Sequence, residues 1–354
     1  MTKMAKELNR ASRVGIIFIL IFCSYSSDAI AGESQWLAVG DLHNWFYSAG
    51  SEVEIGRRTL VADQQDGLRW PAQFSEQDCQ AAKGLWIGVD SYEDPVANRN
   101  YSPKVVAVGP RNPVDEQSVW LVQKFMLVGR FHHPNVNVDG VEASKLGFME
   151  RVDSIAPNLP ADRMIYNVIN TQLGISLTRK IYAFSTQGHD DYHIHDYVLK
   201  NTGIYDSDGN THNQTLNGVY LYLQYRYAVS RESRFSGKGV PQSANWGRNT
   251  MNHVIYTHPT TSAPFRAQYS WHGLHSGWLG DGDNIGGPAY LGDGHLGASQ
   301  YVGLITLHAD ISPNNPADNL NQPSTTSWIG SNDQFSYNND AFNQATMAGQ
   351  YQNM

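Results

Sequence analysis

The densest group of polar side chains that could carry chemistry lies in the middle of the sequence, from His189 to Asp196 (HDDYHIHD). In a strand, side chains two positions apart share one face, so His193 and His195 should point the same way. Two imidazoles on one face can bind a divalent metal when a third ligand, such as Asp191, completes the site. The sequence therefore predicts a metal site of His193, His195 and Asp191, with zinc or calcium as the candidate cofactor. The alternative is a polar strand whose histidines face solvent or are hydrogen-bonded.

A second unusual stretch, Trp271–Asn284 (WHGLHSGWLGDGDN), combines tryptophans and carboxylates in a glycine-rich segment. Indole rings stack on sugar rings, and carboxylates accept hydrogen bonds from hydroxyl groups or bind calcium. We expect this stretch to be a loop that binds a ligand through Trp271, Trp278, Asp281 and Asp283. An ordinary surface loop whose tryptophans cover the edge of the core is the alternative.

Several motifs of known chemistry are missing from the sequence. Asp206–Asn210 (DSDGN) resembles the start of a calcium loop, but Thr211 and Asn217 occupy the positions where an EF-hand needs Gly and Glu, so a turn is favoured. There is no G-x-S-x-G, H-E-x-x-H or C-x-x-C motif. Glycoside hydrolysis needs two facing carboxylates, and no spacing selects such a pair. These absences favour a non-catalytic protein over an enzyme.

Composition restricts the class of partner. Charged residues make up 16% of the chain, its formal net charge is −8, and it contains 32 Gly and 19 Tyr. An acidic chain without clusters of basic residues argues against nucleic acid as a partner. Few charges together with abundant Gly, Asn, Gln and Tyr indicate an extracellular, β-rich protein.

Residues 1–31 have the pattern of a secretory signal peptide. Basic residues precede the apolar run Gly15–Phe22 (GIIFILIF), and Ala29–Ala31 (AIA) is a small-x-small cleavage site. This run is shorter than the roughly 20 residues that cross a bilayer. We therefore expect a mature chain without a membrane span, located outside the cell or on the cell surface. Its remaining cysteine, Cys79, would have no partner for an intrachain disulfide.

The elements that must position these residues are predicted to be strands. Runs rich in Val, Ile and Tyr alternate with Gly, Asn, Asp and Pro, which predicts a mainly β fold with long Gly/Asn-rich loops and few short helices. Ile175–Phe184 (ISLTRKIYAF), Tyr192–Lys200 (YHIHDYVLK) and Gly218–Val229 (GVYLYLQYRYAV) are the clearest strands. We expect them to form an antiparallel meander within a β-sandwich. Alternate positions from Ile175 to Ala183 are mostly apolar and should face a core.

The chain divides into four predicted regions, separated by the cleavage site, by a Pro-flanked turn near Asn158–Pro160 and by a change in composition at Ser312. They are a signal peptide at 1–31, an N-terminal β-rich region at 32–160, a central antiparallel β-sandwich at 161–311, and an irregular Asn/Pro/Ser-rich segment at 312–354. Short helices are expected around Asp41–Ala49 and, with a weaker pattern, in Asp340–Met354. The last segment should lead to a missing C-terminal region, so we expect the chain to be the front part of a longer protein.

Six stretches carry a resemblance to a known family: Leu42–Phe46 (LHNWF), Gln64–Ala72 (QQDGLRWPA), Ala81–Gly88 (AAKGLWIG), Asp162–Thr171 (DRMIYNVINT), Tyr220–Glu232 (YLYLQYRYAVSRE) and Asn284–Asp310 (NIGGPAYLGDGHLGASQYVGLITLHAD). The chain resembles a family of large secreted proteins from Bacteroidota and related bacteria, whose members often end in a type IX secretion sorting domain. That sorting domain is absent from this sequence. The resemblance implies export, and it assigns no catalytic residue.

The sequence as a whole favours a secreted or cell-surface, non-catalytic protein that binds a polysaccharide or another cell-envelope polymer. Export, an aromatic and amide-rich composition, and the missing catalytic motifs support this hypothesis. A carbohydrate-active or metal-assisted hydrolase is the alternative. A structural scaffold within a larger secreted protein is a further alternative.

Overall fold

Most of the described chain is extended, as its β-branched and aromatic runs predict. The computed structural model describes residues 33–53, 68–73, 78–109, 119–132, 137–142, 152–227, 250–257, 260–262, 264–272, 301–326 and 343–354. About half of the chain that it describes lies in strands, and one short helix is present there. The predicted mainly β fold is confirmed.

The elements in chain order are β1 (Ser34–Val39), β2 (Leu42–Tyr47), β3 (Glu52–Val53), β4 (Leu68–Arg69), β5 (Asp78–Val89), β6 (Tyr92–Asp94), β7 (Arg99–Tyr101), β8 (Lys104–Val108), β9 (Trp120–Gly129), β10 (Asn137–Val138), β11 (Val141–Glu142), β12 (Ser154–Ile155), β13 (Arg163–Thr171), β14 (Ile175–Ala183), β15 (His193–Asn201), β16 (Tyr220–Tyr227), β17 (Thr250–Thr257), β18 (Pro264–His272), β19 (Tyr301–Thr306), β20 (Asp310–Ser312), β21 (Asn315–Asp318) and α1 (Gln344–Gln352).

Sheet one is built around the twelve-residue strand β5. Strand β16 pairs antiparallel along one edge of β5, while β8, β3 and β4 pair in succession along the other edge. Strands β2 and β1 continue the sheet beyond β4. The short strand β3 thus lies beside the middle of β5, and this position decides which side chains meet there.

Sheet two has the order β12-β9-β13-β14-β15, and its pairs are antiparallel except for the parallel pair of β12 and β9. Side chains of β14 alternate strictly between buried and half-buried, which confirms the predicted inward face from Ile175 to Ala183. Strands β14 and β15 are antiparallel neighbours, as predicted.

The predicted pairing of the third meander strand, β16, is wrong. Strand β16 pairs with β5 in sheet one, not with β15. Residues 202–219 carry the chain from one sheet to the other. An alternating pattern shows that a strand has an apolar face, but it is equally compatible with pairing in either of two facing sheets.

The inner faces of the two sheets share their hydrophobic core. One cluster joins β5 and β8 of sheet one to β13 and β14 of sheet two, and a second joins β1 and β2 to β9, β13 and β14. Full burial of a Leu, Ile, Val or Phe side chain contributes about 1.5–3 kcal/mol. The core is therefore common to both sheets. Its fully or nearly fully buried members include Leu37, Phe46, Leu85, Ile87, Val106, Trp120, Leu127, Ile165, Ile169, Leu177 and Ile181.

The predicted helix at Asp41–Ala49 is wrong, because Leu42–Tyr47 forms β2. It pairs with β1 in a hairpin in which Trp36 lies opposite Trp45. A short apolar run does not distinguish a helix from a strand by its pattern, and here pairing with a neighbour satisfies the backbone.

The predicted C-terminal helix is confirmed as α1. The Asn343 side chain caps it by accepting hydrogen bonds from the backbone N–H groups of Ala345 and Thr346. Met347 is buried with Trp86 on the outer side of sheet one. No helix in the described part of the chain is long and apolar enough to cross a membrane.

Strand pairing crosses residue 160, where the sequence analysis places a boundary. Strand β9 pairs with β13, and β5 pairs with β16, so residues from both predicted regions lie in each larger sheet. A separate three-stranded sheet has the order β17-β18-β19. Two-residue to four-residue strands form the small pairs β6-β7, β10-β11 and β20-β21, and the last of these extends into the segment predicted to be irregular.

Candidate functional site

A row of polar side chains crosses sheet one on its inner face. Glu52 on β3 lies directly opposite Lys83 on β5, and Lys83 lies directly opposite Tyr225 on β16. Directly opposed side chains have Cβ atoms about 4.5–5.5 Å apart, which favours an ion pair of opposite charges. Lys83 Nζ lies 2.8 Å from Glu52 Oε1. The other carboxylate oxygen accepts hydrogen bonds from the side-chain amides of Asn44 and Gln80.

A second polar row crosses sheet two and faces the first. Asn167, Arg179 and Tyr197 are opposed on β13, β14 and β15. Arg179 is fully buried, and its Nε donates to Asn167 Oδ1 at 3.1 Å. Its two terminal nitrogens donate to the backbone carbonyl oxygens of Gly50 and Tyr47. Arg179 therefore ties sheet two to the turn that precedes β3 and so positions Glu52.

Gly50 makes this turn possible. Its φ of +112° lies in a region that residues with a Cβ atom rarely adopt. The turn directs the carbonyl of Gly50 toward Arg179 and returns the chain to β3, where Glu52 meets Lys83. The positive φ of Gly50 and its hydrogen bond from the buried Arg179 guanidinium thus both favour the turn that brings Glu52 to Lys83.

Lys83 joins the two rows. Its Nζ lies 3.4 Å from the hydroxyl oxygen of Tyr197 across the sheets. The ammonium also lies 5.4 Å from the ring centre of Tyr197 and 5.6 Å from that of Tyr225. Cation–π attraction over two rings adds to the ion pair with Glu52 and helps to stabilise a buried ammonium.

The predicted histidines lie beside these rows. His193 and His195 share the inner face of β15, as predicted, with ring centres 6.3 Å apart. His195 Nδ1 lies 3.4 Å from the Tyr197 hydroxyl oxygen and 4.0 Å from Glu52 Oε1. His193 Nε2 lies 3.0 Å from the backbone oxygen of Leu42.

Asp191 is exposed in the turn before β15. In the residues that the structure describes, no group of three or more His, Cys, Asp or Glu side chains is arranged to hold a metal ion. The predicted metal site of His193, His195 and Asp191 therefore stays a prediction, and of its three residues His193 and His195 have neighbouring rings.

Burial and the ion pair together determine whether Glu52 and Lys83 are ionised. Burial alone would raise the pKa of Glu52, but the charges of Lys83, His195 and Arg179 and the hydrogen bond from Lys83 outweigh it and lower that pKa to about 2. Burial likewise opposes the charge of Lys83, but the Glu52 carboxylate outweighs it and raises the Lys83 pKa. At neutral pH both members of the pair are ionised.

The two histidines are neutral at the same pH. Burial lowers the pKa of His193 to about 4. Burial and the nearby ammonium of Lys83 lower the pKa of His195 well below its usual value. Each histidine therefore has an unprotonated ring nitrogen and can act as a base near neutral pH.

The polar rows end at β15 and β16, each of which is the last strand of its sheet in the described residues, and the Tyr227 side chain on β16 makes a hydrogen bond with Gln268 of the third sheet. Exposure rises from the interior outward: the side chains of Glu52, Lys83 and His195 are 4%, 10% and 28% exposed. We call this region the edge site. Its partly exposed rings belong to His193, His195, Tyr197, Tyr225 and Tyr227.

The first tryptophan of the tryptophan stretch lies in a strand and not in the expected loop. Trp271 lies in β18 and is only 8% exposed, so its placement in a loop is corrected. Its ring packs beside Tyr269 and stacks with the exposed ring of Tyr301 on β19. Trp278, Asp281 and Asp283 lie outside the described residues, and their binding role stays a prediction.

Sequence reasoning did not single out as functional six polar residues of the site: Glu52, Lys83, Arg179, Tyr197, Tyr225 and Tyr227. Two of them carried a signal, because Lys83 interrupts the apolar run AAKGLWIG and Arg179 interrupts the apolar face of β14. A charge on an inward-facing strand position is costly unless it is paired, so such positions indicate partners elsewhere in the chain.

The chain matches no protein family model, no curated protein and no solved structure. Its function is therefore inferred from the geometry of the described residues.

Proposed function

We propose that the protein binds a polysaccharide or another cell-envelope polymer outside the cell, and that the edge site holds it. The observation that carries this proposal is the set of five partly exposed rings on β15 and β16, the last described strands of the two sheets. Behind the rings lie the polar groups of Lys83, Glu52 and Tyr197.

Sugars suit this arrangement for a physical reason. One side of a pyranose ring presents C–H groups that pack on an aromatic ring, while its hydroxyl groups need hydrogen-bond partners. Tyr225 and Tyr227 stack on each other with ring centres 5.5 Å apart, and His193 stacks with His195.

An extracellular location is part of the proposal. It is supported by the signal-peptide pattern of residues 1–31 and by the low charge of the chain. The resemblance to large secreted proteins with type IX sorting domains agrees with it. Absence of the protein from the culture medium and from the cell surface of its native host would contradict this part.

The binding proposal is tested by retention on insoluble polysaccharides such as cellulose, chitin, xylan and peptidoglycan. We expect Tyr197→Ala to weaken retention about threefold to tenfold, because a stacked aromatic contact is worth about 0.5–1.5 kcal/mol. Tyr197→Phe keeps the ring and should retain most of the affinity. Tyr182→Ala, on the outer face of the neighbouring strand β14, is the matched control.

The variant Trp278→Ala distinguishes polymer binding at the edge site from polymer binding in the loop that the sequence predicts. Lost retention in Trp278→Ala with unchanged retention in Tyr197→Ala would place the binding site in that loop and overturn the edge-site proposal. Failure of the unaltered protein to bind any polymer would overturn the proposed function and favour a structural scaffold. Circular dichroism of each variant shows that any loss is not caused by unfolding.

A further inference from the structure

We propose that the edge site also cleaves its polymer, by β-elimination at a uronic acid residue, with His195 as the base and Tyr197 as the acid. This inference rests on the proposed function and names its substrate class. The substrate is a polysaccharide whose sugar carries a carboxylate on the carbon next to the ring oxygen. Elimination there needs a base, an acid and a cation close together, and the edge site contains all three.

The charges of the edge site favour an anionic sugar. Two cations, Lys83 and Arg179, and one carboxylate, Glu52, are the charged groups that act most strongly on His195 besides its neighbour His193. Buried charges are usually balanced, so a site with one positive charge in excess favours an anion. Among the described residues, Lys83 Nζ donates hydrogen bonds to Glu52 and Tyr197, and the third N–H group of the ammonium can then bind a substrate carboxylate oxygen.

The positions of the reacting groups suit the removal of a proton from carbon. In a uronate, the proton on C5 is acidified by the adjacent carboxylate, and a cation stabilises the negative charge that develops when this proton leaves. His195 is the most exposed of the polar residues that surround the ion pair, and in the described part of the chain its ring forms hydrogen bonds through Nδ1 and none through Nε2. That nitrogen is therefore the atom that can approach the sugar.

The step balances without a further reactant. His195 Nε2 takes the C5 proton, the electron pair forms the C4–C5 double bond, and the bond from C4 to the glycosidic oxygen breaks. The Tyr197 hydroxyl gives its proton to the departing oxygen and becomes a phenolate, which the nearby ammonium of Lys83 stabilises. The imidazolium then returns a proton from Nδ1 to the phenolate across the 3.4 Å contact, and exchange with water restores the tautomer.

Hydrolysis by two carboxylates has less support in this site. Both hydrolytic mechanisms need a pair of carboxyl groups across the scissile bond, one of them protonated. Glu52 is the carboxylate among the described residues of the edge site, and its ion pair with Lys83 keeps it ionised. Elimination needs no second carboxylate.

The geometry of the site also predicts which stereoisomers of the uronate sugar the elimination can cleave. His195 and Tyr197 lie two residues apart on the same face of β15, so the base and the acid approach the sugar from the same side. The C5 proton and the C4 oxygen must then lie on one side of the ring. This holds for β-linked mannuronate and glucuronate, whereas in guluronate and galacturonate the two groups lie on opposite sides.

Polymannuronate and polyguluronate form a matched pair of substrates, because their sugars differ only in configuration at C5. We expect the purified protein to produce an ultraviolet-absorbing unsaturated uronate, together with new reducing ends, from polymannuronate and not from polyguluronate. Tyr197→Phe and His195→Gln should each lower the rate at least about 100-fold, the usual size of a general acid or base contribution. Retention of the polymer should change much less in Tyr197→Phe.

His132→Gln and Tyr182→Phe are the matched controls, since His132 is exposed and Tyr182 lies on the outer face of β14. Their rates should equal that of the unaltered protein. Retention of mannuronate and glucuronate polymers without any unsaturated product would overturn the elimination and leave the binding function in place. Equal cleavage of polyguluronate would overturn the same-side geometry, and full activity of Tyr197→Phe would overturn the assignment of the acid.

Discussion

At the scale of single residues, the ion pair of Glu52 and Lys83 is the most consequential interaction between side chains in the site. Both groups are almost removed from water, and each is the main countercharge of the other. The attraction offsets the cost of burial only while both partners are present. The amides of Asn44 and Gln80 complete the carboxylate's hydrogen bonds, which makes the pair a satisfied network.

Glu52→Gln tests this interaction. The substitution keeps the size of the side chain and leaves the ammonium of Lys83 buried without its countercharge, so the free energy of unfolding should fall by about 3–5 kcal/mol. Urea unfolding followed by tryptophan fluorescence measures the change. The control is Glu93→Gln on β6, where the Glu93 side chain is exposed and we expect a change within about 0.5 kcal/mol.

A double variant shows whether the loss comes from the uncompensated charge. Glu52→Gln combined with Lys83→Met removes both charges, and it should be more stable than Glu52→Gln alone. If the double variant were as unstable as the sum of the two single changes, the pair would not be coupled and the electrostatic account would be wrong.

At the scale of elements, strand β14 has two functions on one face. Ile181 and its apolar neighbours on that face belong to the core that both sheets share, whereas Arg179 on the same face binds the turn before β3. The strand is therefore both a structural support and a positioning element for Glu52. Its outer face carries Lys180 and Tyr182, which are only half-buried.

Ile181→Ala should lower the free energy of unfolding by about 2–5 kcal/mol, because the substitution leaves a cavity in a fully buried position. The neighbouring change Lys180→Ala, on the other face, should cost less than about 0.5 kcal/mol. Thermal and urea unfolding of the two variants give the comparison. Similar losses in both would contradict the inward and outward assignment of β14.

At the scale of the whole molecule, partly buried histidines couple stability to pH. The pKa of His43 is lowered to about 4 by burial and by the charge of Arg69, and that of His193 is lowered to about 4 by burial. The pKa of His195 is lowered well below its usual value. In the unfolded chain these groups return to a pKa near 6.5.

Stability should therefore fall on acidification. Below about pH 6.5 the unfolded chain binds more protons than the folded one, so the contribution of these histidines is complete above that pH and is lost progressively toward pH 4. We expect a lower urea midpoint at pH 5 than at pH 7.5, and a smaller difference in His193→Gln. Equal midpoints at the two pH values would show that the histidines are not held neutral. The charged and titratable groups that act on the three histidines are Glu52, Arg69, Lys83, Arg163 and Arg179.

Local pattern predicted the local features of the chain. The alternation of β14 predicted its buried face, and the two-residue spacing of His193 and His195 predicted that they share a face of β15. The sequence pattern gave a wrong prediction where the same pattern is compatible with more than one structure. The stretch Asp41–Ala49 is compatible with a helix or a strand, and the strand after residue 218 is compatible with either sheet.

The sequence by itself determined that the described chain is mainly β, where many of its strands lie and which of their faces are apolar, because these properties depend on neighbouring residues and on a period of two. Tertiary structure alone decided that Glu52, Lys83, Tyr197 and Tyr225 meet. These four residues are far apart in the chain and come together through the register of β3, β5 and β16 and the packing of one sheet on the other. Register and packing depend on the free energy of the whole fold, and no local spacing records them.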